Sequence, residues 1–191
     1  IASGDQRTNK LELGLDPNKM TLLVTGASQG AGTINSLIPK LTKVAPQSFM
    51  NWQILHLAGP DKSDEVEKAY QGSSVSHVVL SFTNEMGKVW GAADLAITRG
   101  GANTIAEIAC NAVPSIVLSY PYHDDDHQRT NAETLASIGG VVIETDHKTL
   151  EANLEYVGPT ILALLDNHHR RFKMQQALSL EAPINGASVI A

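Results

Sequence analysis

Short apolar runs recur along the chain, and stretches with helical periodicity separate them. Several runs, such as Leu22-Leu23-Val24, are apolar at every position, which is typical of strands that are buried on both faces of a parallel sheet. The pattern therefore predicts strands at residues 21–25, 52–58, 75–81, 95–98, 115–119 and 140–144.

Amphipathic stretches between these runs predict helices at residues 31–44, 62–71, 85–92, 104–111 and 128–138. Regular alternation of strand and helix predicts an α/β domain, a doubly wound parallel sheet of about six strands. After residue 148 the pattern is helical only, with C-terminal helices predicted at 149–166 and 169–180. Residues 1–20 are polar, and we interpret them as a linker or N-terminal arm that ends in a turn.

Composition narrows the class of protein. The 191 residues and the 42% apolar share suit one domain with a substantial core. No apolar run reaches the ~18 residues that a membrane-spanning helix needs. The net charge of −6 argues against a nucleic-acid partner. The single Cys110 excludes a disulfide framework and indicates a reducing, cytoplasmic compartment.

The two ends of the chain suggest a piece of a longer protein. The chain begins at Ile1 rather than at a methionine, and Asn185 could cap a helix that stops almost at once, at Ala191. We therefore expect residues 1–191 to be a single domain of a larger protein.

A glycine-rich segment follows the first predicted strand and reads Thr25-Gly-Ala-Ser-Gln-Gly-Ala-Gly32. Glycines let a backbone approach a phosphate, and the N-terminus of the next helix supplies free N–H groups. Ligands in such sheets bind at the carboxyl ends of the strands. The segment therefore predicts a phosphate site, and the alternative is a tight strand–helix turn without a ligand.

The same segment imitates the glycine loop of short-chain dehydrogenases, which is a weak signal on its own. Those enzymes also need a Tyr-x-x-x-Lys pair, and no tyrosine of this chain has lysine four residues later. The second predicted strand also lacks the expected acidic residue at its end, where Ala58-Gly-Pro60 stands. A dehydrogenase is therefore disfavoured.

A second strand–glycine–helix segment runs from Arg99-Gly-Gly to Glu107. Glu107 lies one helical turn beyond Asn103 and Thr104, where its carboxylate oxygens could accept hydrogen bonds from a ribose cis-diol. The alternative is a solvent-facing glutamate. Because the neighbouring helix residues are apolar, we expect this helix to be buried and Glu107 to need a partner.

The segment after the fifth predicted strand places three aspartates between His123 and His127, so a divalent metal is conceivable. An acidic helix start explains the same residues, and we predict no metal. Gln128 and Asn131 share one helix face. Amides there suit sugar hydroxyls, although ordinary helix polarity is the alternative. Trp52 and Trp90 are interpreted as packing residues.

Four motifs in order carry a resemblance to a known family: Gly26-x-Ser28-Gln29-Gly30-Ala31, Phe82-Thr83-x-x-Met86, Arg99-Gly-Gly-Ala-x-Thr-x-x-Glu107 and His127-Gln128-x-x-Asn131-Ala132. From about Leu22 to Glu144, and more loosely to its end, the chain resembles the C-terminal, donor-binding domain of family 28 glycosyltransferases. The resemblance implies the GT-B fold, in which two Rossmann-like domains face each other across a cleft.

The resemblance also implies a function. We expect a domain that binds a UDP-sugar and needs no cofactor or metal. The expected reaction transfers GlcNAc, with inversion, from UDP-GlcNAc to a lipid-linked muramoyl-pentapeptide in peptidoglycan synthesis. The general base, the acceptor groove and contact with the inner face of the membrane belong to an N-terminal domain in cis. The isolated chain is therefore expected to bind UDP-sugar weakly and to transfer nothing.

Roles for individual residues follow from the resemblance. Ser28, Gln29 and Gly30 are expected to hold the diphosphate, Phe82 and Thr83 the uracil, and Glu107 the ribose. Ala102 and Asn103 are expected to line the sugar pocket beside Gln128 and Asn131. The predicted binding set also includes Gly26, Met86, Arg99, Gly101, Thr104 and His127.

The chain departs from the family pattern at three positions. Ala27 stands where the family usually has glycine, and Gly32 stands where it has arginine, which lowers the expected phosphate affinity. His127 stands where the family often has glutamine, in the stretch that contacts the sugar, so the resemblance specifies the uridine more closely than the sugar. A related transferase with another acceptor, a non-catalytic donor-binding subunit and an enzyme like UDP-GlcNAc 2-epimerase remain open.

Overall fold

The computed structural model describes residues 4–26, 32–120 and 127–181. Its strands form one parallel sheet in the order β3-β2-β1-β4-β5-β6, which confirms the predicted doubly wound α/β class. The strands are β1 (Met20–Thr25), β2 (Trp52–Leu57), β3 (His77–Leu80), β4 (Leu95–Thr98), β5 (Ser115–Ser119) and β6 (Val141–Thr145).

Helices connect the strands and cover both faces of the sheet. They are α1 (Gln6–Glu12), α2 (Gly32–Val44), α3 (Ser63–Tyr70), α4 (Met86–Ala92), α5 (Ala102–Asn111), α6 (His127–Ser137), α7 (Leu150–Tyr156), α8 (Gly158–Asp166) and α9 (His168–Glu181), with a 3₁₀ turn at Pro46–Phe49.

The sheet separates two apolar cores. Alternate strand residues face opposite sides, so Leu22 and Val24 belong to one core and Leu23 to the other. All of β2 is buried, as predicted for a strand covered on both faces. Trp52 and Trp90 are each only 2% exposed and lie in different cores, which confirms their packing role.

Two predicted elements differ in extent from the observed ones. The strand predicted at 75–81 is shorter, because β3 lies at the sheet edge and is only half-buried. The helix predicted at 149–166 is divided at Val157 into α7 and α8. Pro159 stands in the first turn of α8, where a residue without an N–H group is tolerated.

The N-terminal segment contains a helix that the polar pattern did not predict. Asp5 caps α1 by accepting a hydrogen bond from the Thr8 N–H at 3.1 Å, and α1 packs against α4. The buried Lys10 Nζ lies 2.8 Å from Asp94 Oδ2, which also accepts the Thr21 N–H at 2.8 Å. Hydrophobic periodicity misses this helix because a polar side chain anchors it.

Among the described residues, every helix falls short of the length and apolar character that crossing a bilayer requires. The helix expected after Asn185 lies outside the described residues.

Candidate functional site

A cavity of about 440 Å³ opens at the carboxyl edge of the sheet. It lies beyond the ends of β1, β2 and β3 and extends to the first turns of α4 and α5. The strand order reverses between β1 and β4, so the cavity lies at the place where open α/β sheets bind their ligands.

The structure brings half of the predicted binding residues together around this cavity. The predicted residues that line it are Phe82, Thr83, Met86, Gly101, Ala102, Asn103, Thr104 and Glu107. The cavity is also lined by Thr25, Leu57, Gly59 and Ser81, which none of the four motifs indicated. Their position at or just beyond strand ends was a usable signal, since those ends converge at one edge of a parallel sheet.

Glu107 faces the cavity from the second turn of α5. Its Oε2 atom accepts a hydrogen bond from Nε1 of the buried Trp90 at 3.0 Å, so the glutamate has a partner, as expected. Within the described part of the chain, Oε1 has no hydrogen-bond partner. One carboxylate oxygen is therefore held in place and the other remains able to accept hydrogen bonds from a ligand.

The helix that carries Glu107 is less buried than expected. Only Thr104 and Ile108 of α5 are fully buried, and Ala102, Asn103 and Ala106 are exposed. The prediction of a buried helix holds for one face only: Ile105, Ile108 and Ala109 pack in or against the core, whereas Ala102 lines the cavity and Ala106 is exposed. Cys110 is likewise only half-buried.

The N-terminus of α5 opens into the same cavity. Gly101 stands at the N-cap and supplies no side-chain hydrogen bond to the first turn. The N–H groups of the first turn of a helix have no partner within the helix, and they carry its positive dipole end. The cavity therefore combines a carboxylate acceptor with backbone donors.

An exposed aromatic ring stands at the rim of the cavity. Phe82, just after β3, is 67% exposed, and Met86, the first residue of α4, lines the same cavity. The neighbouring Thr83 Oγ1 accepts the Glu85 N–H at 3.0 Å, which fixes the turn between them. This rim offers an apolar surface next to polar backbone, an arrangement that suits a planar heterocycle.

Gln128 and Asn131 lie on one face of α6, but they bind backbone rather than line the cavity. Asn131 Nδ2 donates to the Gly100 carbonyl at 3.0 Å, and Gln128 Oε1 accepts the Tyr120 N–H at 3.0 Å. The first turn of α6 approaches so closely that a Cβ atom on Gly100 would lie 2.0 Å from the Gln128 carbonyl oxygen. Their predicted sugar contacts stay a prediction.

Arg99 is buried behind the cavity and does not belong to its described lining. Nη1 donates to the Leu118 carbonyl at 2.8 Å, and Nη2 lies 2.5 Å from Asp146 Oδ2 and 2.7 Å from Thr33 Oγ1. The guanidinium also stands over the ring of Tyr120. The motif residue that was expected to bind ligand is therefore occupied by protein groups.

Asp146, which no motif indicated, completes this buried cluster. Its Oδ1 accepts the Lys148 N–H at 2.7 Å and Asn153 Nδ2 at 2.9 Å. Burial by itself raises the pKa of Asp146, but hydrogen bonds from Asn153, Thr33 and Arg99 outweigh burial and lower that pKa below its usual value. The carboxylate is thus held in its charged form.

A second, neutral cluster supports the opposite wall. Asn35 Nδ2 donates to the Ala58 carbonyl at 2.9 Å, so its Oδ1 accepts from His56 Nε2 at 3.0 Å. His56 Nδ1 then accepts the Tyr70 hydroxyl at 2.8 Å. Burial lowers the pKa of His56 to about 3. These bonds hold the backbone just before Gly59, which lines the cavity.

Several predicted residues lie outside the described residues, namely Ser28, Gln29, Gly30, His123 and the three aspartates that follow it. Gly26, at the end of β1, is described and buried, and His127 is exposed at the start of α6. Within residues 4–26, 32–120 and 127–181, no group of three or more His, Cys, Asp or Glu side chains could hold a metal ion.

Comparison with known proteins gives a consistent result. Residues 21–187 match the family model described as the glycosyltransferase family 28 C-terminal domain. Two curated relatives carry the name UDP-N-acetylglucosamine--N-acetylmuramyl-(pentapeptide) pyrophosphoryl-undecaprenol N-acetylglucosamine transferase. The one from Carboxydothermus hydrogenoformans is 34% identical over 167 residues, 86% of this chain and 43% of the relative. The one from Chlorobaculum tepidum is 35% identical over 179 residues, which cover 93% of this chain and 47% of the relative.

Solved structures agree with this result. MurG from Acinetobacter baumannii matches with a TM-score of 0.74 and 27% identity, over 90% of this chain and 50% of that one. WaaG, a glycosyltransferase of lipopolysaccharide biosynthesis, matches with a TM-score of 0.69 at 15% identity, over 96% of this chain and 48% of that one, which supports the fold alone. The chain spans about half the length of the curated relatives that it matches.

Proposed function

Because the chain belongs to the glycosyltransferase family 28 C-terminal domain family, we propose that its cavity binds the UDP-sugar donor of a GT-B glycosyltransferase. The donor proposed is UDP-GlcNAc, and the acceptor is a lipid-linked muramoyl-pentapeptide. The name of the two curated relatives supports both choices, since it specifies an N-acetylglucosamine transferase that acts on a pyrophosphoryl-undecaprenol.

The observation that carries the proposal is the position of Glu107. Trp90 holds one carboxylate oxygen of Glu107, and the residue lines a cavity of about 440 Å³ at the switch point of the sheet. Small-molecule sites typically measure about 300–1,000 Å³ and contain a few well-placed polar groups. A fixed carboxylate with an open oxygen suits the paired hydroxyls of a ribose.

With the ribose assigned to Glu107, we assign the uracil, the diphosphate and the sugar to neighbouring groups of the protein. The uracil is placed beside Phe82 and Thr83, at the exposed rim. The diphosphate is placed between the glycine-rich segment after β1 and the N-terminal turns of α2 and α5. The sugar is placed beside Ala102 and Asn103. Each group of the ligand then meets a complementary group of the protein.

The proposed chemistry is a direct displacement at the anomeric carbon. The acceptor hydroxyl forms the new bond as the bond to the diphosphate breaks, and UDP leaves with the electron pair. Backbone N–H groups at helix N-termini stabilise the charge that develops on the diphosphate, so the donor domain itself needs no metal or cofactor. The general base comes from an N-terminal, acceptor-binding domain in cis, which also contacts the inner face of the membrane.

Calorimetric titration of the 191-residue chain tests the proposal. We expect binding of UDP and UDP-GlcNAc but not of NADH, and weaker binding of UDP-Glc than of UDP-GlcNAc. Glu107→Ala is expected to lower the affinity for UDP about tenfold or more, since hydrogen bonds to a charged group contribute about 1.5–3 kcal/mol. The matched control is Glu155→Ala, which removes an exposed glutamate from α7.

Two results would contradict the proposal. Binding of NADH without UDP would return the glycine-rich segment to a dinucleotide role. Equal affinities of the wild type and Glu107→Ala for UDP would remove the ribose assignment. A separate assay with a lipid-linked acceptor is expected to detect no GlcNAc transfer by this chain, and turnover would show that the N-terminal domain is dispensable.

A further inference from the structure

The hydroxyl of the half-buried Thr33, at the start of α2, joins a polar cluster whose other members, Arg99 and Asp146, are buried. Its Oγ1 accepts a hydrogen bond from Arg99 Nη2 at 2.7 Å and donates one to Asp146 Oδ2. Thr33 is in the first turn of α2, whereas Arg99 follows β4 and Asp146 follows β6. Three separate segments therefore meet at one hydroxyl group.

Further hydrogen bonds connect this cluster to strand β5 and to helix α7. Arg99 Nη1 donates to the Leu118 carbonyl of β5 at 2.8 Å, and Asn153 of α7 donates to Asp146 Oδ1 at 2.9 Å. The ion pair itself is buried, with side chains that are 8% exposed for Arg99 and 0% for Asp146. The first turn of α2 is thus fastened to β4, β5, β6 and α7 at once.

The direction of each hydrogen bond makes this arrangement specific. Arginine only donates and an ionised aspartate only accepts, whereas a hydroxyl does both. Thr33 can therefore bridge the pair in one orientation alone. Charge-assisted hydrogen bonds of this kind are short and directional, so they define the position of a helix end more closely than apolar packing does.

We propose that Arg99 and Asp146 act as positioning residues: through the Thr33 hydroxyl they fix the first turn of α2 where its N–H groups meet the diphosphate of the donor. This inference rests on the proposed function. It assigns to Arg99 a role other than ligand contact, because its described hydrogen bonds go to protein groups. A small displacement of preorganised donors is enough to weaken binding of the charged group.

The test separates phosphate binding from binding of the nucleoside. Thr33→Val keeps the side-chain volume but removes the hydroxyl, whereas Thr33→Ser keeps the hydroxyl. We expect Thr33→Val to weaken UDP binding about tenfold and to leave uridine binding unchanged, with affinities measured by calorimetry for UDP and ligand-observed NMR for uridine. Thr33→Ser is expected to regain most of the affinity for UDP.

A matched pair of arginine variants controls for loss of stability. Arg171 is also buried, but it lies at the opposite edge of the sheet, where it donates to the Leu164 and Leu165 carbonyls and stands over the ring of Trp52. We expect Arg171→Lys to lower the melting temperature without changing the ratio of the UDP and uridine affinities. Arg99→Lys is expected to lower the affinity for UDP more than the affinity for uridine, and so to change that ratio.

Two results would overturn the inference. One is a ratio of the UDP and uridine affinities that Thr33→Val leaves unchanged, whether or not both affinities fall. The other is the same ratio in the two arginine variants. Failure of the proposed function looks different. In that case the wild-type chain binds no UDP, and the inference falls with the function before any variant is compared.

Discussion

The cavity wall and the buried support behind it use similar polar residues in opposite ways. The cavity wall is defined by Thr83, Asn103 and Glu107, which are exposed or half-buried and line the cavity. The buried support is defined by side chains that hydrogen-bond to other protein groups: the buried Asn35, His56, Arg99 and Asp146, with the half-buried Gln128 and Asn131.

The difference shows that residues of one sequence motif can have two separate roles, one in stability and one in lining the cavity. Arg99 and Glu107 stand eight residues apart in one motif, yet Arg99 fastens segments together and Glu107 presents a carboxylate to the cavity. A polar group whose hydrogen-bonding positions are filled by protein has few left for a ligand. Changes in the support should therefore reduce stability, whereas changes in the wall should reduce binding alone.

The largest effect is expected for Asp146→Ala. This variant leaves the buried Arg99 guanidinium without its carboxylate, and removal of one partner from a buried ion pair costs about 3–5 kcal/mol. Urea denaturation measures the free energy of unfolding, with exposed Glu155→Ala as the control. If Asp146→Ala lowers the free energy of unfolding by less than about 1 kcal/mol, the assignment of Asp146 to the support is wrong.

The next effect is expected for Gly100→Ala compared with Gly101→Ala. The new methyl group at residue 100 would lie 2.0 Å from the backbone oxygen of Gln128, so α6 must move. Overpacking of this kind costs about 1–3 kcal/mol and sometimes more. At residue 101 the nearest atom is 3.9 Å away, on Thr104. Thermal denaturation should show a clear loss for Gly100→Ala only, and equal losses would contradict the close approach.

A pH dependence is expected from His56. Its folded-state pKa of about 3 lies below the ordinary value of 6.5, so the unfolded chain binds the extra proton between these values. The contribution of His56 to the free energy of unfolding is therefore fully present above pH 6.5. It decreases by about 1.4 kcal/mol per pH unit as the pH falls toward 3. The pKa of Asp146 is lowered from 3.8, so its contribution is lost only below that pH.

Urea denaturation at several pH values measures this dependence. His56→Gln should flatten the slope between pH 6.5 and pH 4, where Asp146 stays ionised. A slope in that range that is the same in His56→Gln and in the wild type would show that other groups cause it.

The smallest effect on stability is expected in the cavity wall. Glu107→Gln keeps an oxygen that can accept the Trp90 N–H, so the free energy of unfolding should change by less than about 0.5 kcal/mol. UDP affinity should nevertheless fall several-fold, because an amide group replaces the open carboxylate oxygen. Calorimetry and denaturation of the same sample test both statements. A destabilisation as large as that of Asp146→Ala would place Glu107 in the support instead.

Periodicity along the chain was sufficient for most of the fold. Continuous apolar runs such as Leu22-Leu23-Val24 are typical of strands at the centre of a parallel sheet, where both faces are buried. Helix α1 was missed because its anchor is the buried Lys10, which contributes nothing to an apolar pattern. The burial of α5 was overestimated because alanine suits both a core and an open cavity, and residue type alone does not separate them.

The candidate site was predictable as a set of segments but not as a set of contacts. The glycine-rich turns and Glu107 could be expected at one edge, since the ends of parallel strands converge there. The partners of Arg99 could not be found, because Asp146 lies 47 positions away in the sequence and belongs to no motif.

The sequence by itself determined the doubly wound α/β class and the edge of the sheet at which the cavity opens, because these depend on periodicity and on local motifs. Only the tertiary structure decided which polar residues face the cavity and which hold it in shape. The physical reason is that hydrogen-bonding capacity is filled by whichever groups lie within about 3 Å, and folding alone brings Thr33, Arg99 and Asp146 within that distance.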